Sequence, residues 1–441
     1  MLYLNSFLDY YPARRRGGEM SFSQRLTEIR NGFERPFWVA NISEIFERLS
    51  YYGAFASLGL YLHEKLNFST QQTGTLTGWF GGTVWFLAIL GGAVADKIGF
   101  RRALSTAYLI LATAYFLIGS IGDSWLAPLR NAVPLTLFVV VILMLPAVGI
   151  SMVKPCVVGT TARASKENVR QIGYSIYYTM VNIGSFAGPY MASQAHAHLG
   201  VEKVFRISAL SVFAMFFFVL IFFREPRKAS DARPPSLLQV GKNFLAILWP
   251  PRFLIFLLIF TGYWIVFWQQ YTTLPGYITS YVNAQKGIAE LILVTDPLVV
   301  IFLTIAVNHL TRNMAPLHAV ILGTVITSLS WLILAFWPTV PGTVASLAAL
   351  ALGEIIQQPP YYSYISKLAP SGQQGIYMGF AFLPLGLGSI FGGMLGGYLV
   401  HRYAEILHRP QQVWYWITAI GLVTAALLLA YDRAIRSQDM A

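Results

Sequence analysis

Glu44, Glu47, Arg48, Tyr51 and Tyr52 stand at i, i+3, i+4, i+7 and i+8. That spacing puts all five on one face of a helix. Ile45 and Leu49 lie on the opposite face, and the segment around them is apolar. Two carboxylates and one guanidinium on a buried stripe cannot all be charged comfortably. One acid can pair with Arg48, and the other is then able to take a proton. This is chemistry for moving protons. A purely structural ion pair would not need the second acid.

Three more ionisable side chains stand in apolar stretches: Lys154, Asp296 and Glu354. A charge in such a stretch costs ~3 kcal/mol or more, so each is a functional candidate. Lys154 and Glu354 have opposite charge and lie in opposite halves of the chain. A bridge that joins them in one state and breaks in another is a gate; a permanent bridge is the structural alternative. Gln357, Gln358 and Tyr361 follow Glu354 at i+3, i+4 and i+7 and make a polar stripe. Pro359 and Pro360 remove two backbone donors and are expected to break or kink the helix there. Interrupted helices near the membrane midplane are where solute sites form.

Tyr174, Tyr177, Tyr178 and Asn182 recur at i, i+3, i+4 and i+8. Hydroxyls and an amide on one face suit a polar organic solute, although aromatic stripes also serve packing. Gly91, Gly92 and Gly99 flank Asp96 in a run that ends at Arg101–Arg102. Small residues let helices approach closely, and the charged turn can lock a helix pair. Gly386, Gly388, Gly392, Gly393, Gly396 and Gly397 give a later segment the same close-packing character.

The elements that position these groups are membrane spans. Of 441 residues, 56% are hydrophobic and only 11% charged, and the mean hydropathy is +0.56. Soluble domains are about 25% charged. The composition therefore excludes a cytosolic enzyme, a secreted domain and a disordered chain. A membrane helix needs about 20 apolar residues. Twelve such stretches run approximately 36–62, 71–95, 103–122, 133–160, 171–197, 204–223, 252–281, 288–309, 315–337, 341–366, 373–401 and 412–432. The predicted fold is all-α, with twelve transmembrane helices in two six-helix bundles, 36–223 and 252–432. A polar linker, 224–251, joins them, flanked by an N-terminal segment, 1–35, and a tail, 433–441.

The formal charge is +12, from 31 basic and 19 acidic residues. With the N-terminus inside, 22 of the lysines and arginines fall on one side of the membrane and seven on the other; Arg48 and Lys154 lie within spans. This asymmetry sets the orientation, with both termini cytoplasmic. The basic residues thus read as topology signals, and no nucleic-acid partner is expected. The first 20 residues do not read as a signal peptide, and Met20 is an alternative start. The single cysteine, Cys156, cannot form an internal disulfide.

Several segments resemble a known family. The Gly91–Arg102 run is similar to the loop between helices two and three of the major facilitator superfamily. The run Glu44-Ile45-Phe46-Glu47-Arg48-Leu49-Ser50-Tyr51-Tyr52-Gly53 resembles the ExxER motif of the proton-dependent oligopeptide transporter family. Ser175–Ser185 resembles that family's helix-five signature, Lys154-Pro155 its helix-four lysine, and Gly353-Glu354 through Pro370 its helix-ten segment. The likeness spans nearly the whole chain. It implies alternating access and proton-driven uptake of di- and tripeptides, without a cofactor other than the proton. It also implies that Glu44, Glu47 and Arg48 couple proton movement. Glu354 would meet the peptide amino group or Lys154, and Tyr52 and Asn182 would line the pocket.

The departures are as specific. Where the family often has an arginine two positions after the motif glycine, this chain has Phe55. Where it often has the pairing acid on helix seven, the segment Tyr263–Gln270 places Trp268, followed by Gln269. Losing both partners together avoids leaving one buried charge unpaired. A pocket tryptophan on helix eleven is replaced by Ala381, and Asp296 before Pro297 stands where asparagine is usual. The outer gate is therefore expected to be rebuilt, with Asp296 as a protonatable group.

The candidate proton-coupling residues are Glu44, Glu47, Arg48, Glu354 and Asp296. The candidate solute contacts are Tyr51, Tyr52, Lys154, Tyr178, Asn182, Trp268, Gln269, Glu354 and Gln358. Gating is assigned to Gly91, Asp96, Arg101, Lys154 and Glu354. The expectation is a monomeric symporter in a bacterial inner membrane, with a small peptide or similar solute. The alternatives are the same fold carrying a non-peptide solute, or a drug or metabolite exporter. No phosphate-cradling GxxxxGK[ST] loop and no Ser–His–acid grouping is found, so an ATP-driven pump or an enzyme is not expected.

Overall fold

The computed structural model describes residues 31–226, 251–369 and 374–439. Among them the regular elements are helices, apart from one isolated bridge between Phe33 and Ser165. The first half holds α1 (Arg35–Glu64), α2 (Thr70–Ile98), α3 (Phe100–Ile118), α4 (Leu135–Arg163), α5 (Arg170–Leu199) and α6 (Val201–Phe222). In the second half α7 starts as Pro251–Phe267 and continues through Gln269–Thr272, Leu274–Tyr277 and a π-helical turn, Ile278–Val282. The next helix, α8, comprises Ile288–Leu293 and Thr295–Thr311. Then come α9 (Pro316–Phe336) and α10 (Val340–Leu368). The pieces Gln374–Phe380, Leu383–Leu399 and the π-helical turn Val400–Ile406 make up α11, and α12 spans Gln411–Asp439. These rods follow the twelve apolar stretches to within a few residues, with α12 running past the expected end.

Eight rods are long and apolar enough to cross a membrane by length and composition, and α2 makes a ninth when counted across its 47° bend. The three that fall short are α1, α3 and α5. Of these, α1 and α5 carry the polar stripes, and α3 is short with two arginines in its first turn. The first 30 residues and most of the central linker, 227–250, lie outside the described residues. The alternative start at Met20 and the reading of the N-terminal segment fall there too.

Within the first bundle α1 packs on α5 and α6, α4 on α2 and α3, and α3 on α6. In the second, α9 packs on α10 and α12, α7 on α11 and α12, and α8 on α10. The bundles meet along two main seams, α2 against α11 and α5 against α8, and α1 also touches α7 and α8. Glycines make the first seam. A Cβ on Gly78 would lie 2.7 Å from the Ser389 carbonyl oxygen, and the Ser389 hydroxyl donates to the Gly78 carbonyl at 3.1 Å. Backbones come this close only where side chains are absent.

Both seams lie toward the end that carries the α1–α2 and α7–α8 connections, here called the upper end. At the lower end α8 is exposed nearly all round beyond Val300, and α5 is largely uncovered before Asn182. The bundles therefore part downward.

The double proline does not break α10. The helix runs unbroken from Val340 to Leu368 with Pro359 and Pro360 inside it. In an apolar setting, packed neighbours compensate for the freed carbonyls, so membrane helices tolerate proline. The breaks occur elsewhere, at Trp268 and Thr273 in α7 and at Val294 in α8, just ahead of Asp296-Pro297.

Candidate functional site

The α1 stripe is buried as a unit. Glu44 and Glu47 have no exposed surface, and Arg48 is 5% exposed. The Arg48 guanidinium donates through Nε to Glu47 Oε2 at 2.5 Å and lies 3.5 Å from Glu44 Oε1. Glu47 is thus the bonded partner. Glu44, one turn away, has no hydrogen-bond donor on either oxygen among the described residues. Glycines on α5 allow α1 to sit there: a Cβ on Gly184 would lie 2.5 Å from Arg48 Cβ, and one on Gly53 would lie 2.9 Å from the Gly188 carbonyl.

The two tyrosines of the stripe part company. Tyr51 turns into the bundle, beneath the Arg48 guanidinium at 5.2 Å and beside Phe80 of α2. Tyr52 is half-buried at the boundary of the bundles, with its ring centroid 6.1 Å from Tyr271 of α7.

Lys154 does not bridge to Glu354 in this conformation. Its ammonium lies 4.9 Å from the Trp85 ring of α2 and 5.4 Å from the Phe382 ring of α11. It touches both halves through aromatic faces, a cation–π arrangement. Glu44, Glu47 and Arg48 are within its electrostatic reach. Across the gap, Asp296 of α8 faces Glu354 of α10, and Gln270 of α7 approaches Asp296. The acid pair has no basic partner among the described residues. Tyr52 and Tyr178 lie within electrostatic reach of both acids. Asn182 is buried, and its amide donates to the Tyr178 carbonyl at 2.8 Å. Gln358 is half-buried one turn below Glu354. The geometry therefore sets the Glu44–Glu47–Arg48 cluster and Lys154 on the first bundle and two acids without a basic partner among the described residues on the second, with Tyr52 within electrostatic reach of both.

Trp268 and Gln269 are committed to structure. The Trp268 indole donates to the Leu385 carbonyl at 3.0 Å. The Gln269 amide donates to the carbonyls of Ile265 and Gly392, and its oxygen accepts from Thr273. These bonds tie α7 to α11 and leave the Gln269 amide nothing to offer a solute. Asp296 lies beside Glu354 and within electrostatic reach of Tyr271, whose ring stacks on Phe55.

The glycine-flanked turn sits at the lower end and fastens one bundle internally. Asp96 accepts from Arg163 of α4 at 3.1 Å, and Arg163 lies over the Phe100 ring. Arg101 donates to the Leu220 carbonyl of α6 at 2.7 Å. Gly91 lies against the Ser151 backbone of α4. The Glu225 carboxylate accepts the free backbone N–H groups of Phe100 and Arg101 at 2.8 and 2.9 Å, which caps α3.

Residue spacing alone does not single out three further groups. Glu225 follows the last turn of α6 in the polar run before the linker. Glu290 is a second acid in the eighth stretch, fully buried in the short first piece of α8. It accepts from Ser57 of α1 at 3.0 Å and lies 2.8 Å from Nδ1 of His196 on α5. An acid inside an apolar stretch is the available signal for Glu290; nothing in the sequence pairs it with His196.

Known proteins share the fold. The model of the Major Facilitator Superfamily matches residues 41–383 and 253–438. The multidrug resistance protein MdtH of Edwardsiella ictaluri is 22% identical over 342 residues, 78% of this chain and 80% of that one. The dipeptide and tripeptide permease B of Aliivibrio fischeri is 30% identical over 186 residues, 42% of this chain and 35% of that one. Among solved structures, a POT family transporter in complex with 5-aminolevulinic acid superposes with a TM-score of 0.76 at 16% identity, covering 91% of this chain and 96% of that one. The twelve-helix architecture and the family match agree: this chain is an integral membrane transporter, not an enzyme, and belongs to the major facilitator superfamily.

Proposed function

We propose that the chain is a proton-coupled secondary active transporter for di- and tripeptides or similar small zwitterions, working by alternating access. One observation carries this reading. The Arg48 cluster and Lys154 belong to the first bundle and Asp296 and Glu354 to the second, and Tyr52 lies within electrostatic reach of Arg48 and of both acids. A solute with a carboxylate at one end and an ammonium at the other complements that split. Its binding would draw the bundles together, and its release would let them part. The Glu44–Glu47–Arg48 cluster supplies the proton chemistry, because Arg48 has one bonded acid and a second acid within reach. The proton is the coupling ion, and no cofactor is needed. The lower end, where the bundles part, is assigned to the cytoplasm of a bacterial inner membrane, as are both termini. The protein is taken to act as a monomer.

The second reading is export of an amphiphilic drug or metabolite. It is favoured by the long match to MdtH and by the aromatic lining of the upper seal, where Phe55 and Trp268 stand in place of charges.

Uptake of a labelled alanyl dipeptide into proteoliposomes under an inward proton gradient separates the two. Accumulation that Glu47→Gln abolishes supports the symporter. No peptide uptake by folded protein moves the assignment to export or to a non-peptide solute.

A further inference from the structure

At the upper end of the α5–α8 seam one imidazole stands between two carboxylates from different helices. His196 of α5 is 3% exposed. Its Nδ1 lies 2.8 Å from Glu290 Oε1 of α8, and its Nε2 lies 3.7 Å from Glu64 Oε2 at the end of α1. Glu290 is completely buried, and its only other bonded neighbour among the described residues is the Ser57 hydroxyl. Glu290 belongs to the second bundle and the three groups around it to the first. Among the described residues, both side-chain bonds of Glu290 therefore cross between the bundles. Alongside, a Cβ on Gly287 would lie 3.2 Å from Ala197 Cβ, so the backbones there are in contact.

Glu64 is about one-third exposed and lines the upper cleft between the bundles. Protons from the upper solution can reach Nε2 past it. The other titratable or charged groups at this end are Lys65, bridged to Glu202 of α6 at 3.3 Å, His63 of α1 and Glu405 of α11, which line the same cleft, His198 on α5 itself, and Lys286 in the α7–α8 connection.

We propose that His196, Glu290 and Glu64 form a proton-operated latch that holds the upper end shut. An imidazolium donates from both nitrogens and faces both carboxylates favourably. A neutral imidazole can donate to only one of them and turns a lone pair toward the other. It also leaves the buried Glu290 charge without its counter-ion, which is expensive in this setting. Closure of the upper end therefore takes up a proton, and opening releases it. Because the same side loads and empties it, the latch carries no net proton across the membrane. It makes the resting orientation depend on outer pH, separately from the α1 cluster. This assignment rests on the alternating-access reading, but its test does not need a transported solute.

Spin labels at Leu199→Cys and Ala284→Cys, both exposed at the upper end on opposite sides of the seam, report the opening in detergent or nanodiscs. The distance distribution of the otherwise native protein should shift from short to long as pH rises from 5.5 to 9. The ratio of closed to open should change by up to about tenfold per pH unit, the limit for one linked proton. His196→Gln and Glu290→Gln should each remove that response. Monodispersity and thermal melting identify a variant that has not folded, and two independent variants keep the test decisive. A second histidine–acid pair at this end, His401 with Glu405 at 2.7 Å, makes the His196 comparison necessary. A pH response that survives both substitutions, or a native protein with no response, overturns the latch. Failure of peptide uptake would overturn the proposed cargo and leave this measurement untouched.

Discussion

Phe55 of α1 and Trp268 of α7 face each other across the boundary of the two bundles, their ring centroids 5.8 Å apart. Tyr271 stacks on Phe55 at 5.0 Å with planes 7° apart and lies 6.0 Å from Trp268, so the three rings form a triangle. Contact between these two positions explains why a charge at one would demand its complement at the other. Both are buried in aromatic surroundings. Phe55→Arg should therefore place an unpaired cation against an indole and cost about 3–5 kcal/mol. The expected result is a sharply lower melting temperature and loss of uptake. Adding Trp268→Glu should recover much of both. A double variant no better than the single one would show that the two positions do not close on each other.

The α1–α5 contact makes a second prediction. Gly184 has room for hydrogen only, since a Cβ would lie 2.5 Å from Arg48 Cβ and 2.6 Å from the Ile45 carbonyl oxygen. Overpacking of this kind typically costs about 1–3 kcal/mol. Gly184→Ala should lower the melting temperature by several degrees. It should also impair proton coupling, because the displaced backbone carries Glu44, Glu47 and Arg48. Gly122, with open space around it, is the control. Equal effects at both positions would refute the argument.

Much of this architecture is legible in the sequence, because a bilayer leaves few choices. A run of about 20 apolar residues must be a helix there, and the positions of all twelve rods follow. The helical stripe of α1 was legible too, but only as a face. Whether i+7 or i+8 points into the bundle or toward its partner depends on where α5 packs, and so Tyr51 and Tyr52 separate. Pro359 and Pro360 mislead because proline rules from water do not transfer to a helix whose neighbours cover it. His196 and Glu290 meet across 94 positions of chain. No local period links them, so their contact needed the fold.

The lower turn predicts a purely structural effect. Glu225 caps two free amides of α3, and Arg101 reaches the Leu220 carbonyl. Removing a helix N-cap costs about 1 kcal/mol. Glu225→Ala should lower the melting temperature by a few degrees and leave the proton dependence of uptake unchanged, since all its bonds stay within the first bundle. A change in coupling without loss of stability would contradict that placement.

Asp296 and Glu354 supply the most discriminating test of the second bundle. They come from α8 and α10, face each other, and have no basic partner among the described residues. Two carboxylates in contact inside an apolar bundle cannot both be charged without a counter-ion. The pair can therefore exchange a proton for the ammonium end of a solute. Asparagine keeps the shape of Asp296 and can still bond to Glu354, but it cannot take up or release the proton. Asp296→Asn should accordingly remove a proton-dependent step, flattening the pH profile of uptake while counterflow exchange continues. Uptake across a series of outer pH values, with counterflow measured in the same vesicles, reads both. An unchanged pH profile would show that the pair takes no part in coupling and would leave the Glu44–Glu47–Arg48 cluster as the proton site.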